Sequence, residues 1–118
     1  MATIFIIEDD IYLQKLYNKI LNTSGHQVVG IANNGDEGVK MYESFFVKPD
    51  IIIMDHRMPI KNGIEATKEI LKISNHSKII FASADNSVKN LALSIGAIKF
   101  IEKPFSMVKF LKIIENVL

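Results

Sequence analysis

The run "IIIM" at residues 51–54 is apolar at every position and very short, and "TIFII" (3–7) and "KIIFA" (78–82) are nearly as continuous. Successive side chains of a strand point to opposite faces, so strands of this kind must be covered on both sides. Between them the period of the apolar residues changes. "DIYLQKLYNKILNTSG" sets Leu13, Leu16, Tyr17, Ile20 and Leu21 on one helical face, with Gly25 as a stop. "QVVGIA" (27–32) reads as a second strand, and "GDEGVKMYESFF" (35–46) as a helix carried by Val39, Tyr42 and Phe46 and closed before Pro49-Asp50. Asn62 can cap a third helix with Ile64, Thr67 and Leu71 inward. "NSVKNLALSIG" (86–96) is the fourth helix and "AIKFI" (97–101) the fifth strand. "SMVKFLKIIENVL" (106–118) is the fifth helix, capped by Ser106, with Met107, Phe110, Leu111, Ile114 and Leu118 inward.

Strict strand–helix alternation predicts a doubly wound α/β fold, a parallel sheet with helices on both faces. The 118 residues suit one domain, 1–118, and 48% hydrophobic residues can fill its core. No linker, repeat or low-complexity segment interrupts it. A formal net charge of +1 gives no field favouring nucleic acid or an anionic membrane. No apolar run reaches the ~18 residues of a membrane span. The N-terminus lacks the basic region of a signal peptide, and the absence of cysteine excludes disulfides and thiolate metal sites. The expectation is a cytoplasmic protein with neither nucleic acid nor membrane as a direct partner.

Ligands of an open parallel sheet bind beyond the carboxyl ends of its strands. Glu8, Asp9 and Asp10 follow the first strand; Asp55, His56 and Arg57 the third; Ser83, Ala84 and Asp85 the fourth; Glu102, Lys103 and Pro104 the fifth. The second strand, expected at an edge, offers only Asn33 and Asn34. Carboxylates gathered on one rim repel and call for a cation. Lys103 supplies one charge, and Mg²⁺, a hard ion that takes carboxylates, a carbonyl and waters, would supply more. Acids, a lysine and a hydroxyl around Mg²⁺ suit phosphoryl transfer. Aspartate side chains are ionised at neutral pH and form aspartyl phosphates, which makes Asp55 the candidate nucleophile.

Taken singly, each residue has an ordinary role: Asp9 and Asp10 favour a helix start, Ser83 a turn, Lys103 a solvated surface, Pro59 and Gly63 a loop. Asp55 resists that treatment, because a carboxylate seldom ends so apolar a strand. His56, next in the chain, should face away from Asp55 and pack or lie at the surface, while His26 and His76 sit beside turns and read as surface residues. Met54, Met58 and Met107 read as core filler.

In order and spacing the chain resembles the response-regulator receiver domains, the CheY-like phosphoacceptor modules of two-component signalling, over its whole length. The matching residues are Glu8-Asp9, Asp55 followed by Met58-Pro59 and Gly63, Ser83-Ala84, Phe100 and Lys103-Pro104-Phe105. The resemblance implies a flavodoxin/CheY-like sheet of order 2-1-3-4-5. It makes Asp55 the phosphoacceptor, served by Lys103 and Ser83. It implies Mg²⁺ on Asp9, on Glu8 directly or through water, on Asp55 and on the Arg57 backbone carbonyl, and a cis Lys103-Pro104 peptide. Ser83 and Phe100 would form the switch. Phosphorylation would draw Ser83 inward and Phe100 into the space left. The fourth helix, fifth strand and fifth helix would be read by an output partner, with Lys89, Leu93, Lys99, Phe100 and Lys109 contributing. The phosphoryl donor would be a sensor histidine kinase, a phosphotransfer protein or a small molecule.

Ile98-Lys99 stands where many transcription-factor receivers carry an acidic pair, which argues against that type of dimer. Arg57 and Asp85 carry opposite charges on two strand ends and can pair across the site. A phosphatase of the haloacid-dehalogenase kind needs a second acid where Arg57 stands. A nucleotide or flavin site would use glycine-rich motifs, and none occurs. A pseudo-receiver, folded alike but never phosphorylated, is the alternative, and the complete acid, hydroxyl and lysine set opposes it. The resemblance implies a signalling switch that catalyses only its own phosphorylation and dephosphorylation, not a metabolic enzyme.

Overall fold

The computed structural model describes residues 1–118. Five parallel strands, β1 (Thr3–Ile7), β2 (Gln27–Ala32), β3 (Ile51–Met54), β4 (Lys78–Ser83) and β5 (Lys99–Glu102), lie in the order β2-β1-β3-β4-β5. They alternate with α1 (Ile11–Thr23), α2 (Gly35–Ser44), α3 (Gly63–Ile73), α4 (Lys89–Ser94, entered through a 3-10 turn at Asn86–Val88) and α5 (Met107–Val117). This is the α/β flavodoxin-like architecture.

The two-residue period of the strands sorts their side chains into two cores. Phe5, Ile7, Ile52, Met54, Ile79 and Phe81 pack under α2, α3 and α4. Ile4, Ile6, Ile51, Ile53, Ile80, Ala82 and Ile101 pack under α1 and α5. Each fully buried isoleucine contributes roughly 1.5–3 kcal/mol by leaving water, which is why the central strands are apolar at every position. Side-chain oxygens of Asp10, Asn34, Asn62 and Ser106 accept main-chain N–H groups at the starts of α1, α2, α3 and α5.

Several sequence expectations are corrected. The inward stripe of α1 is Gln14, Tyr17 and Leu21, so Leu16 turns outward and a polar side chain is buried. α2 stops at Ser44 because Lys48 Nζ donates to the carbonyls of Tyr42, Glu43 and Phe45, and Phe46 then projects fully into solvent. The fourth helix is shorter than 86–96, and β5 starts at Lys99, which leaves Ile98 exposed. Ile70 joins the inner face of α3, whereas Leu118 lies beyond α5 and is exposed. His26 is buried: its Nδ1 accepts the Ala2 N–H at 3.0 Å, and its Nε2 is 3.3 Å from Glu115 of α5. His76 is exposed as expected, and Met54, Met58 and Met107 pack in or against the cores.

Candidate functional site

The site is built on the last rungs of the sheet. Glu8 N–H donates to Ala32 O, Asp55 N–H to Ile7 O, and Lys103 N–H to Ser83 O, at 3.0, 3.0 and 2.9 Å. Each of these candidate residues therefore leaves a backbone already locked by its neighbour. Gly63 lets α3 start directly against Asp55: a Cβ there would lie 2.0 Å from the Asp55 carbonyl oxygen. The Lys103-Pro104 peptide is cis.

A cleft of about 270 Å³ opens above these strand ends, lined by Glu8, Asp9, Asp10, Leu13, Asp55, Arg57, Ser83, Ala84 and Lys103. One carboxylate oxygen each from Glu8, Asp9 and Asp55 falls within a 4.8 Å cluster. Lys103 Nζ donates to Glu8 Oε1 at 2.7 Å and to Asp55 Oδ1 at 3.3 Å. Glu8 Oε2 accepts the Asp10 N–H at 3.0 Å. Both oxygens of Glu8 are thus engaged, while Lys103 meets only one oxygen of Asp55 and none of Asp9.

Three carboxylates against one ammonium leave the cleft short of positive charge. Burial pushes Glu8 up to about 7, against the hydrogen bond from Lys103. Asp9 is raised as well, by burial and by Asp55 beside it. Burial alone would lower Lys103, but its bond to Glu8 and the charges of Asp55 and Glu8 outweigh it and hold the ammonium above its ordinary value. Crowding and burial of these carboxylates thus favour the uptake of a positive charge, whether a proton or a cation. Hard oxygens from Asp9, Asp55 and Glu8 fit a hard divalent ion, so the donor set agrees with the expectation of Mg²⁺.

Two more groups face the cleft. The Ser83 hydroxyl is buried and accepts the Asp85 N–H at 3.0 Å. The exposed Arg57 guanidinium reaches Asp85 Oδ2 at 2.8 Å, the pairing expected from the two strand ends. Phe100 lies outside the cleft, with its ring stacked on Phe81 at 6.0 Å, in partial contact with the core under α4. His56 turns from Asp55 toward Phe81, at 5.9 Å, in the packing role expected of it. Lys89, Leu93, Lys99 and Lys109 are all exposed.

Sequence reasoning missed the support beneath the acids. Gln14 donates to the Glu8 carbonyl and to Asn33 Oδ1. The signal was present as a lone amide three and seven residues before the apolar Tyr17 and Leu21.

The model of the response regulator receiver domain matches residues 4–115. The chain is 37% identical over 116 residues to a chemotaxis protein CheY of Thermotoga maritima, covering 97% of this chain and 95% of that one. A CheY of Bacillus subtilis is 36% identical over 117 residues, covering 98% and 96%. Among solved structures, the CheX–CheY–BeF3–Mg²⁺ complex of Borrelia burgdorferi contains a chain superposing with a TM-score of 0.92 at 26% identity, over 98% of this chain and 87% of that one.

Proposed function

The chain belongs to the response regulator receiver domain family, and on that premise we propose that residues 1–118 form one phosphoacceptor switch with Asp55 as its acceptor. The observation that carries the reading is Lys103 Nζ held between Glu8 and Asp55 beside the three-carboxylate cluster.

A carboxylate oxygen of Asp55 attacks the phosphorus of a donor phosphohistidine or of a small acyl phosphate. An Asp55 O–P bond forms, the donor's P–N or P–O bond breaks, and the leaving imidazole or carboxylate carries off the bonding pair. Asp9, Asp55, the Arg57 carbonyl and Glu8, directly or through water, would hold Mg²⁺, which would supply charge neutralisation there. Lys103 is already aimed at Asp55 and can follow a phosphoryl oxygen. Ser83 can donate its hydroxyl hydrogen to another. Charge on Asp55 then biases the Ser83 and Phe100 positions and so the α4–β5–α5 surface.

The donor is a sensor histidine kinase or phosphotransfer protein, the output partner binds α4–β5–α5, and the setting is cytoplasmic. Apart from its own phosphorylation and dephosphorylation the domain catalyses nothing.

Borohydride reduction after treatment with acetyl phosphate and Mg²⁺ tests the assignment, because it converts an aspartyl phosphate to a mass-distinct alcohol. Peptide mapping should find the change at residue 55. A change at another acid, or none with any donor, contradicts the assignment, and the latter leaves the pseudo-receiver.

A further inference from the structure

We propose that Gln14 is a positioning residue for the carboxylate cluster: it fixes the Glu8–Asp9 peptide so that Asp9 stays turned toward Asp55, ready for a divalent cation. The inference rests on the reading above in taking that cation to be Mg²⁺.

At Glu8 the sheet ends. Its N–H makes the last rung to Ala32, and its carbonyl has no strand to accept from. Gln14, 8% exposed on the buried stripe of α1, fills the gap with an Nε2–H donated to Glu8 O at 2.5 Å. The same nitrogen donates to Asn33 Oδ1 at 2.8 Å. Asn33 is held in turn, because its N–H and Nδ2 both donate to Glu37 Oε1, at 3.1 and 3.2 Å. Glu37 sits in the first turn of α2, where its own N–H donates to Asn34. The Glu8 peptide is thus tied through one amide to the neighbouring strand–helix loop.

Asp9 has most need of that tie. Carboxylates this close repel, and Lys103 bonds Glu8 and Asp55 but not Asp9. Asp9 is exposed, so repulsion can swing it into solvent. What opposes the swing is the main chain on either side of it: Glu8 O held by Gln14, and Asp10 N–H held by Glu8 Oε2. An apolar residue at position 14 would fill the stripe but could not hold the carbonyl. If Gln14 only satisfied a buried acceptor, its loss would cost stability and leave cation affinity alone.

Mg²⁺ affinity, measured by calorimetry on the wild type, Gln14→Met, Asn33→Ala and Tyr42→Phe, separates the two roles. Tyr42→Phe removes a buried hydrogen bond to Ser77 far from the cleft and controls for lost stability. Gln14→Met is expected to weaken Mg²⁺ binding about tenfold, the usual scale for a group that orients a ligand. Asn33→Ala should weaken it less, and Tyr42→Phe should not change it. The Mg²⁺ concentration that half-saturates phosphorylation by acetyl phosphate should rise by the same factor in Gln14→Met, with the rate at saturating Mg²⁺ retained. A folded Gln14→Met with wild-type affinity overturns the inference. If that variant does not fold, unchanged affinity in Asn33→Ala overturns it. A wild type that binds no Mg²⁺ overturns the function reading and this inference together, whereas Mg²⁺ binding that neither substitution weakens overturns this inference alone.

Discussion

The Arg57 guanidinium, which lines the cleft that holds Asp55, lies 2.8 Å from Asp85 Oδ2 and bridges the ends of β3 and β4. Hydrogen bonds from Ser87 and the charge of Arg57 hold the Asp85 carboxyl below its ordinary value, so the bridge is charged throughout the physiological range. Arg57 lines that cleft, so on the phosphoacceptor reading the bridge can screen a phosphoryl group on Asp55 from water. Arg57→Ala is expected to shorten the phosphoryl lifetime about two- to fivefold, the modest scale of an exposed pair, with little effect on thermal stability. The decay of phosphorylated protein after donor removal gives the lifetime. An unchanged lifetime would show that the bridge does not screen the site.

Glu8 gives a pH dependence. Its folded-state value of about 7 lies above the ordinary 4.5, so the folded chain keeps a proton that the unfolded chain releases. That contribution to stability is complete below pH 4.5 and is lost as pH rises through about 7. Mg²⁺ must displace the proton, so its affinity should rise with pH, by up to about tenfold per unit below 7 if one proton leaves. The Mg²⁺-induced shift in melting temperature should therefore grow between about pH 6 and about pH 8. An equal shift at both values would mean that Glu8 is already ionised.

Gly63 sets the start of α3 directly against Asp55. The 2.0 Å separation between an added Cβ and the Asp55 carbonyl oxygen cannot be relieved by a side-chain rotation, because the neighbour is main chain. Gly63→Ala should destabilise by about 1–3 kcal/mol, the usual cost of overpacking, and should also disturb Asp55. Urea unfolding measures the first effect. A variant as stable as the wild type would show that α3 shifts away freely.

Ile60, at φ 71°, is a β-branched residue in the left-handed region, 81% exposed and so with little packing to lose. That conformation costs about 1–2 kcal/mol, while glycine loses about 0.5–1 kcal/mol more backbone entropy on folding. Ile60→Gly should therefore stabilise by roughly 0.5–1 kcal/mol. A lower urea midpoint in the variant would mean that Ile60 makes compensating contacts.

The parallel sheet and the rim of acids were legible because each strand is a brief apolar run and the residue after it is polar, whereas the strand order came from the family resemblance alone. Asp55 stood out by that contrast, Lys103 only as the cation among the gathered acids, and Arg57 with Asp85 by opposite charge at two strand ends. Apolarity misled where it was the only guide. It put Leu16 in the stripe of α1 and passed over Gln14, whose burial follows from an unpaired carbonyl that only the folded sheet end creates. It kept Phe46 inside, because nothing local showed Lys48 closing α2 early. His26 read as a surface residue beside a turn, since its partners Ala2 and Glu115 lie at opposite ends of the chain.

Intact mass after incubation with acetyl phosphate tests the phosphoacceptor assignment most directly, for wild type and Asp55→Asn, each with Mg²⁺ and with a chelator. The expected result is one phosphoryl adduct, formed only with Mg²⁺ and absent from Asp55→Asn. An adduct that persists in Asp55→Asn, or forms equally in the chelator, would contradict the assignment of Asp55 as a Mg²⁺-dependent phosphoacceptor.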